Sequence, residues 1–201
     1  GTLSLDTTGG GAGGNAAINQ SGGVITSSGT VTITSGTGAI TLTRDNVIAG
    51  VVTATNTGGQ ALQITDNRAL AVGAITSGGA VTLIAKNGSV ISMRNGNTNI
   101  TGTGGVTLTG AAAHTLAGNI IVTATDNNIT VNQAINAGSA GTESLTFAAG
   151  TGDLDLQGDV GAGTRVNDFA VTSAANANLN DVVADTIAVT ATSIDLIGDT
   201  Y

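Results

Sequence analysis

Short apolar-x-apolar pieces recur along this chain at an interval of about twenty residues, separated by clusters of Gly, Ser, Thr, Asn and Asp. That interval leaves few folds open. Residues 30–46, TVTITSGTGAITLTRDN, show the unit: two alternating runs and the turn residues between and after them. Strict alternation marks a strand with one buried face, and the intervening clusters mark turns. Leu42, Leu62, Val81, Ile100 and Ile120 are spaced 20, 19, 19 and 20 apart, and Val31, Val51, Leu70 and Val90 are spaced 20, 19 and 20. Asp45-Asn46, Asp66-Asn67, Lys86-Asn87 and Asp126-Asn127 keep the same beat. Gly38, Gly58, Gly78, Gly118, Gly138, Gly158 and Gly198 fall on one 20-residue grid, whose two gaps hold Thr98 and Asn178. A unit this short cannot bury its apolar face alone, so successive units must stack as a solenoid.

The expected fold is all-β: a right-handed parallel β-helix with coils of about 20 residues. Strands of three to five residues cannot stand as hairpins, and the Asn-Gly or Asp-Gly turns of a meander are scarce. When equal coils wind in one direction, each strand pairs with its counterpart one coil away. Roughly ten coils, about 4.8 Å apart, would make a rod about 45–50 Å long. Leu42, Leu62, Val81, Ile100 and Ile120 are expected to stack inside it. The only aromatics are Phe147, Phe169 and Tyr201, yet 40% of residues are hydrophobic. Branched aliphatics of this kind suit a narrow stacked interior, and their periodicity argues against disorder. Gly, Asn and Asp are expected at corners that need left-handed backbone. Proline, which would delete a ladder donor, does not occur.

The whole chain, 1–201, reads as one β-solenoid. Residues 1–30 form a weakly regular start containing the tract Gly9-Gly10-Gly11-Ala12-Gly13-Gly14. Residues 31–133 hold the regular coils, 136–144 a loop insertion, and 145–201 a set of acidic coils. The insertion is inferred from Ile120 and Leu145, which are 25 apart.

Within these coils, V-x-A-x-N-T-G-G at Val52–Gly59, D-N-x-A-L-x-V-G at Asp66–Gly73 and S-G-G-x-V-T-L at Ser77–Leu83 resemble the repeats of filamentous-haemagglutinin-type exoproteins, the secreted adhesins of two-partner secretion. A fainter echo begins at Arg165. The resemblance covers most of residues 31–201. It implies a right-handed β-helix on the outside of a bacterium, in the extracellular space or at the cell surface. The chain begins at Gly1 without a charged-then-apolar leader, so any signal peptide is expected to lie outside it.

Charge narrows the partners. Asp6, Asp45, Asp66 and Asp126 balance Arg44, Arg68, Lys86 and Arg94 in residues 1–142, so the formal charge of −8 resides in residues 143–201. Nucleic acid is not an expected partner, because phosphate contacts need Lys and Arg in number. Membrane insertion is not expected either, since no run approaches the roughly 18 apolar residues of a span. Cysteine is absent, which removes disulfides and thiolate chemistry.

Four places could carry chemistry. His114, the one histidine, reads as a loop or surface residue without catalytic duty. Asp153, Asp155 and Asp159 could serve a sugar cleft, but only Phe147 is near as an aromatic platform. The alternative is that Asp153 and Asp155 flank an inward Leu154 and point to solvent. Calcium at these aspartates fits no EF-hand loop, and Gly9–Ala17 lacks the aspartate of a calcium-binding roll. Thr-x-Thr triplets at 30–34, 41–43, 53–55, 101–103, 107–109, 123–125 and 190–192 would place both hydroxyls on one face, as an ice-binding solenoid requires. Their steps of 11, 12, 48, 6, 16 and 67 instead suggest scattered outward threonines.

No catalytic, cofactor-binding or metal-binding residue is assigned, and no cofactor. The expected function is a non-enzymatic rod: the shaft of a secreted bacterial surface adhesin or a subunit of an extracellular filament. Its expected partners are copies of itself stacked end to end, further repeats of a longer chain, and a host-cell or matrix receptor. The alternatives are an ice-binding solenoid and a polysaccharide-binding or -cleaving β-helix. The last coil still carries strand rhythm in IDLIGDTY, so the rod is expected to continue at its ends.

Overall fold

A computed structural model describes residues 1–9, 16–94 and 98–201. The glycine tract from Gly10 to Gly14, and with it most of Gly9–Ala17, lies outside the described residues. The chain is an all-β solenoid of about eight turns spaced about 22 residues apart, every strand pair parallel, with no helix among the described residues. The first face carries Leu3–Asp6, Val31–Ser35, Val52–Asn56, Leu70–Ser77, Thr98–Gly102, Ile120–Thr123, Leu145–Ala148, Val166–Ser173 and Ala184–Val189, hydrogen-bonded in that order. The second face interleaves Ile18–Asn19, Ile40–Ile48, Leu62–Asp66, Val81–Ala85, Val106–Thr109, Ile129–Val131, Leu154–Leu156, Asn176–Leu179 and Ser193–Leu196. A shorter third face stacks Ile91–Arg94, His114–Ala117 and Ile135–Ala137 beneath the start of Leu70–Ser77, and continues as single bridges to Val160 and Val182. With nine strands on each of the first two faces, about 4.8 Å apart, the stack is about 40 Å long.

Alternation sets which side chains enter the interior. On the second face, Ile40, Leu62, Val81, Val106, Ile129 and Leu154 form one continuous column, each at most 1% exposed. Leu42, Ile64, Leu83, Leu108 and Val131 form the column beside it. On the first face the column runs Ile33, Ala54, Ile75, Ile100, Val122, Phe147, Val171. Phe147 and Phe169 occupy adjacent first-face positions with ring centroids 6.2 Å apart and planes tilted by 60°, the offset geometry that aromatic quadrupoles favour. Full burial of each aliphatic chain contributes roughly 1.5–3 kcal/mol relative to exposure.

The expected ladder is therefore corrected in its connectivity, though not in its burial. Leu42, Leu62, Val81, Ile100 and Ile120 are all buried, but only Leu62 and Val81 stack directly. Leu42 pairs with Ile64, while Ile100 and Ile120 belong to the first face. The reason is coil length. The Leu62 to Val81 turn is 19 residues, but Val81 to Val106 is 25, so a fixed 20-residue step drifts onto another face. The second series drifts by one position, since Val31 pairs with Val52 and Leu70 with Ile91. Ile120 and Leu145, 25 apart, are true register partners.

The grid glycines also serve a different purpose from the one expected. None of Gly38, Gly58, Gly78 or Gly158 has positive φ; a Cβ at each would strike the backbone of the preceding turn. At Gly78 it would fall inside contact distance of the Gly58 carbonyl. These corners need absence of side chain, not left-handed backbone. Left-handed residues occur elsewhere, at Asn87 and Gly88 in one tight turn and at Asp126.

Replacing Leu62 by Asp should unfold neighbouring turns, because an unpaired buried carboxylate costs several kcal/mol. Thr82→Asp, on the outward side of the same sheet one turn on, opposite Gln63, should change little. A melting temperature lowered by L62D but not by T82D, read by circular dichroism, checks the alternation directly.

Candidate functional site

Of the three carboxylates considered for chemistry, Asp153 and Asp155 are bonded within the fold, and Asp159 follows them in the same turn. Leu154 is fully buried and Asp153 and Asp155 flank it on the partly exposed side. Asp153 Oδ1 accepts from the backbone and the side-chain amide of Asn176 (3.1 and 2.7 Å), so it clasps one turn to the next. Asp155 Oδ2 accepts from Gln157 Nε2 at 2.8 Å. Phe147, the aromatic nearest to them in sequence, is wholly inside the core and offers no platform for a sugar. Among the described residues no group of three or more His, Asp or Glu is placed to hold a metal ion.

Further along the acidic part, Asp168 gathers Ser144, Asn167 and Thr186 as donors. The hydroxyls of Thr186 and Ser144 hold its carboxyl below the ordinary aspartate range. Asp185 pairs with Arg165 at 2.8 Å, and Asp181 Oδ1 accepts from the backbone of Asp199 and Thr200. These groups tie turns together near the acidic end.

Two buried polar positions line another corner. Asn46 accepts from Ile25 N (2.8 Å) and Gln20 Nε2 (2.7 Å) and donates to Thr65 O (3.0 Å). Asp66, its register partner, accepts from Ile48 N and Arg68 N, both at 2.8 Å. Burial pushes the Asp66 carboxyl above its ordinary pKa, opposed by those backbone donors. The raised value makes its contribution to stability largest in acid and smaller as pH rises through the folded value. Every hydrogen bond of this pair ends on the protein's own backbone or on Gln20, so the pair acts as a corner clasp.

An open groove of about 420 Å³ runs along a third corner, over Gly104, Gly105, Asp126, Asn127, Asn128 and Thr151. Three of its polar side chains are engaged in turn-to-turn bonds: Asp126 Oδ1 accepts from Thr151 N (3.0 Å), Asn127 Nδ2 donates to Thr103 O (2.9 Å), and Asn128 Oδ1 accepts from Asp153 N (2.9 Å). One carboxylate, with amides and hydroxyls and no aromatic wall, gives a weakly featured polar furrow.

His114 overturns its sequence reading. It is neither in a loop nor at the surface: it begins the strand His114–Ala117 and is 0% exposed. Its interior position was hidden because GAAAHTLAG does not alternate like its neighbours, and the third face is short. The only sequence signal was the apolar Ile91 and Ile135 at near-coil spacing on either side.

The threonines are more ordered than their linear spacing suggests. Strand register places Thr34, Thr55, Thr76, Thr101 and Thr123 in one uninterrupted column on the outer side of the first face. Thr32 and Thr53 begin a second column beside it, which continues past a bulge as Asn99, Ile121 and Thr146. The second face adds Thr82, Thr107 and Thr130. The linear steps looked irregular because turn length varies and triplets alternate between faces.

No family model matches this chain, and no curated protein or solved structure matches it either. No helix among the described residues is long and apolar enough to cross a membrane. With no group of three or more such ligands among the described residues, neither millimolar calcium nor EDTA should move the melting temperature. A calcium-dependent rise in calorimetry would establish a cation site on the acidic turns.

Proposed function

We propose that this chain is a non-catalytic rod, a shaft segment of a secreted bacterial surface adhesin or extracellular filament. The observation that carries this reading is the pair of parallel sheets running through all the turns with one apolar interior and small polar corners. Such a structure resists bending because each inner turn is bonded to two neighbours through both of its long faces. The haemagglutinin-type motifs at Val52–Gly59, Asp66–Gly73 and Ser77–Leu83 lie within its regular turns and support the same reading.

The terminal turn supports a stacking role. Ile187, Ile194 and Leu196 continue the inward columns but are 39, 45 and 54% exposed. Open strand edges with apolar inward residues invite another β-layer. That layer is either a further repeat of a longer polypeptide or a second copy, and a head-to-tail contact that does not close propagates as a fibre. The neutral first part and the acidic second part let unlike ends meet without like-charge repulsion. A host-cell or matrix receptor would then be met along the Thr- and Asn-rich sides.

Sedimentation and negative-stain microscopy of the 201-residue chain test the stacking role. Concentration-dependent rods, lost when Ile194 and Leu196 are both changed to Asp, are expected. A monodisperse monomer with strongly protected terminal amides would overturn it. Incubation with polysaccharides and peptides should give no turnover.

A second reading has one observation in its favour, the five-threonine column. Hydroxyls repeated at about 4.8 Å along a rigid face could order water as an ice-binding surface does. Only one column is complete, since Asn99 and Ile121 interrupt its neighbour, so thermal hysteresis should be negligible. Faceted ice crystals at micromolar protein would promote this reading over the rod.

A further inference from the structure

A fully buried imidazole lies in the middle of an aliphatic stack. Strand register on the third face places Leu70, Ile91, His114, Ile135, Val160 and Val182 one above another. Every member except His114 is aliphatic, and all are at most 1% exposed. Ile91 N–H donates to His114 Nδ1 at 3.3 Å. That bond makes Nδ1 the acceptor and leaves the proton of the neutral ring on Nε2. Nε2 is buried and has no hydrogen-bond partner. Gly110 lies flat against the ring, where a Cβ would meet Cε1 at 2.7 Å.

This arrangement accepts a neutral ring and is hostile to a charged one. Protonation would place a proton on Nδ1, forfeiting the bond from Ile91 N–H, with the Leu108 carbonyl as only partial compensation. The same event would put a full charge among aliphatic neighbours with Nε2–H still unanswered. No nearby carboxylate compensates. Of the strands packed against His114–Ala117, Ile91–Arg94 carries only Arg94, which is exposed, and Ile135–Ala137 carries no titratable group. Val106–Thr109 on the second face carries none, Lys86 before the third face is bound to Asp45 at 2.6 Å, Glu143 accepts from Ser139 N at 3.1 Å, and Asp159 stands beside Val160, two turns beyond the ring.

We propose that His114 makes the third face an acid-sensitive seam, which opens between Ile91–Arg94 and Ile135–Ala137 when the ring takes up a proton. The seam is the thinnest of the three: its strands are three or four residues long and it ends in single bridges. Loss of its ladder would leave the first and second faces joined through the remaining turns. A rod of this design holds its shape near neutrality and loosens at one place in an acidified surrounding.

The sign and window follow from the ring's environment. Burial lowers the His114 pKa to about 4, partly offset by the Leu108 carbonyl, from an ordinary value near 6.5. A folded value depressed in this way gives stability that is complete above about 6.5 and declines as pH falls toward 4. The unfolding constant of the seam should rise by roughly 80-fold between pH 6.5 and pH 4. The hydrogen-bonded carboxyls of Asp6 and Asp168 are held below the ordinary aspartate range, and Asp66 changes stability with the opposite sign to His114.

Because there is one histidine, its ring resonances can be followed without assignment. They are expected to keep neutral-form shifts to below pH 5 in the folded protein. Over the same range, exchange protection at Ile91, His114 and Ile135 should fall more than at Ile40 and Leu62. His114→Leu should remove the fall of the urea midpoint between pH 6.5 and 4.5, leaving only the opposite slope that Asp66 gives. A ring titrating near 6.5 without loss of structure, an even loss of protection over all turns, or the wild-type pH dependence persisting in H114L would each overturn the seam. Should H114L fail to fold, the ring titration and exchange profile of the wild-type protein decide alone.

Discussion

Hydrogen bonding between successive turns is the constraint on which the rest of this structure depends. A strand of three to five residues cannot answer its own N–H and C=O groups, and leaving them unmet in a buried position is costly. Each turn therefore borrows its partners from the next. Leu62 N bonds Ala80 O, Val81 N bonds Gly105 O, Val106 N bonds Asn128 O and Ile129 N bonds Asp153 O, at 2.8–3.0 Å. Because this ladder runs along the axis, the interior is only one side chain deep from each face. Branched aliphatics fill it, two phenylalanines suffice, and glycine appears where corner backbones touch.

The same ladder tolerates unequal turns. What must be conserved from turn to turn is the phase of alternation in a few strand residues, not the number of residues between them. Turns of 19 and 25 residues thus carry the same columns, with extra residues accommodated at corners. Corner polarity changes accordingly: Ser35, Asn56 and Ser77 stack buried at one corner, with Ser35 and Asn56 each donating to a carbonyl at 2.8 Å. Farther along, the same column is taken over by Gly102 and then Ala124. Bonded serine and asparagine are affordable there because the backbone turns away and exposes carbonyls to them.

Such a scaffold concentrates its chemistry in repetition, not in a pocket. Its carboxylates serve as clasps between turns and its threonines as a repeated outer surface. His114 breaks the repetition, standing where an aliphatic residue stands in the turns above and below. The proposed rod function rests on the continuous ladders, and the proposed seam rests on this one interruption of them.

Much of this was legible in the linear sequence. Alternation gave the strands, the short repeat gave the stacking of parallel turns, and Leu154 between Asp153 and Asp155 gave its own inward direction. These follow from local geometry, since successive β side chains point to opposite sides whatever lies beyond the strand. What the chain could not disclose alone was which strand stacks on which. The drift of Ile100 and Ile120 to another face, the alignment of Thr34 with Thr55, Thr76, Thr101 and Thr123, the close corner at Gly78 and the burial of His114 all depend on the length of turns between strands. Turn length does not alter local alternation, so it leaves no periodic mark. It becomes visible only when backbone pairing across turns fixes the register.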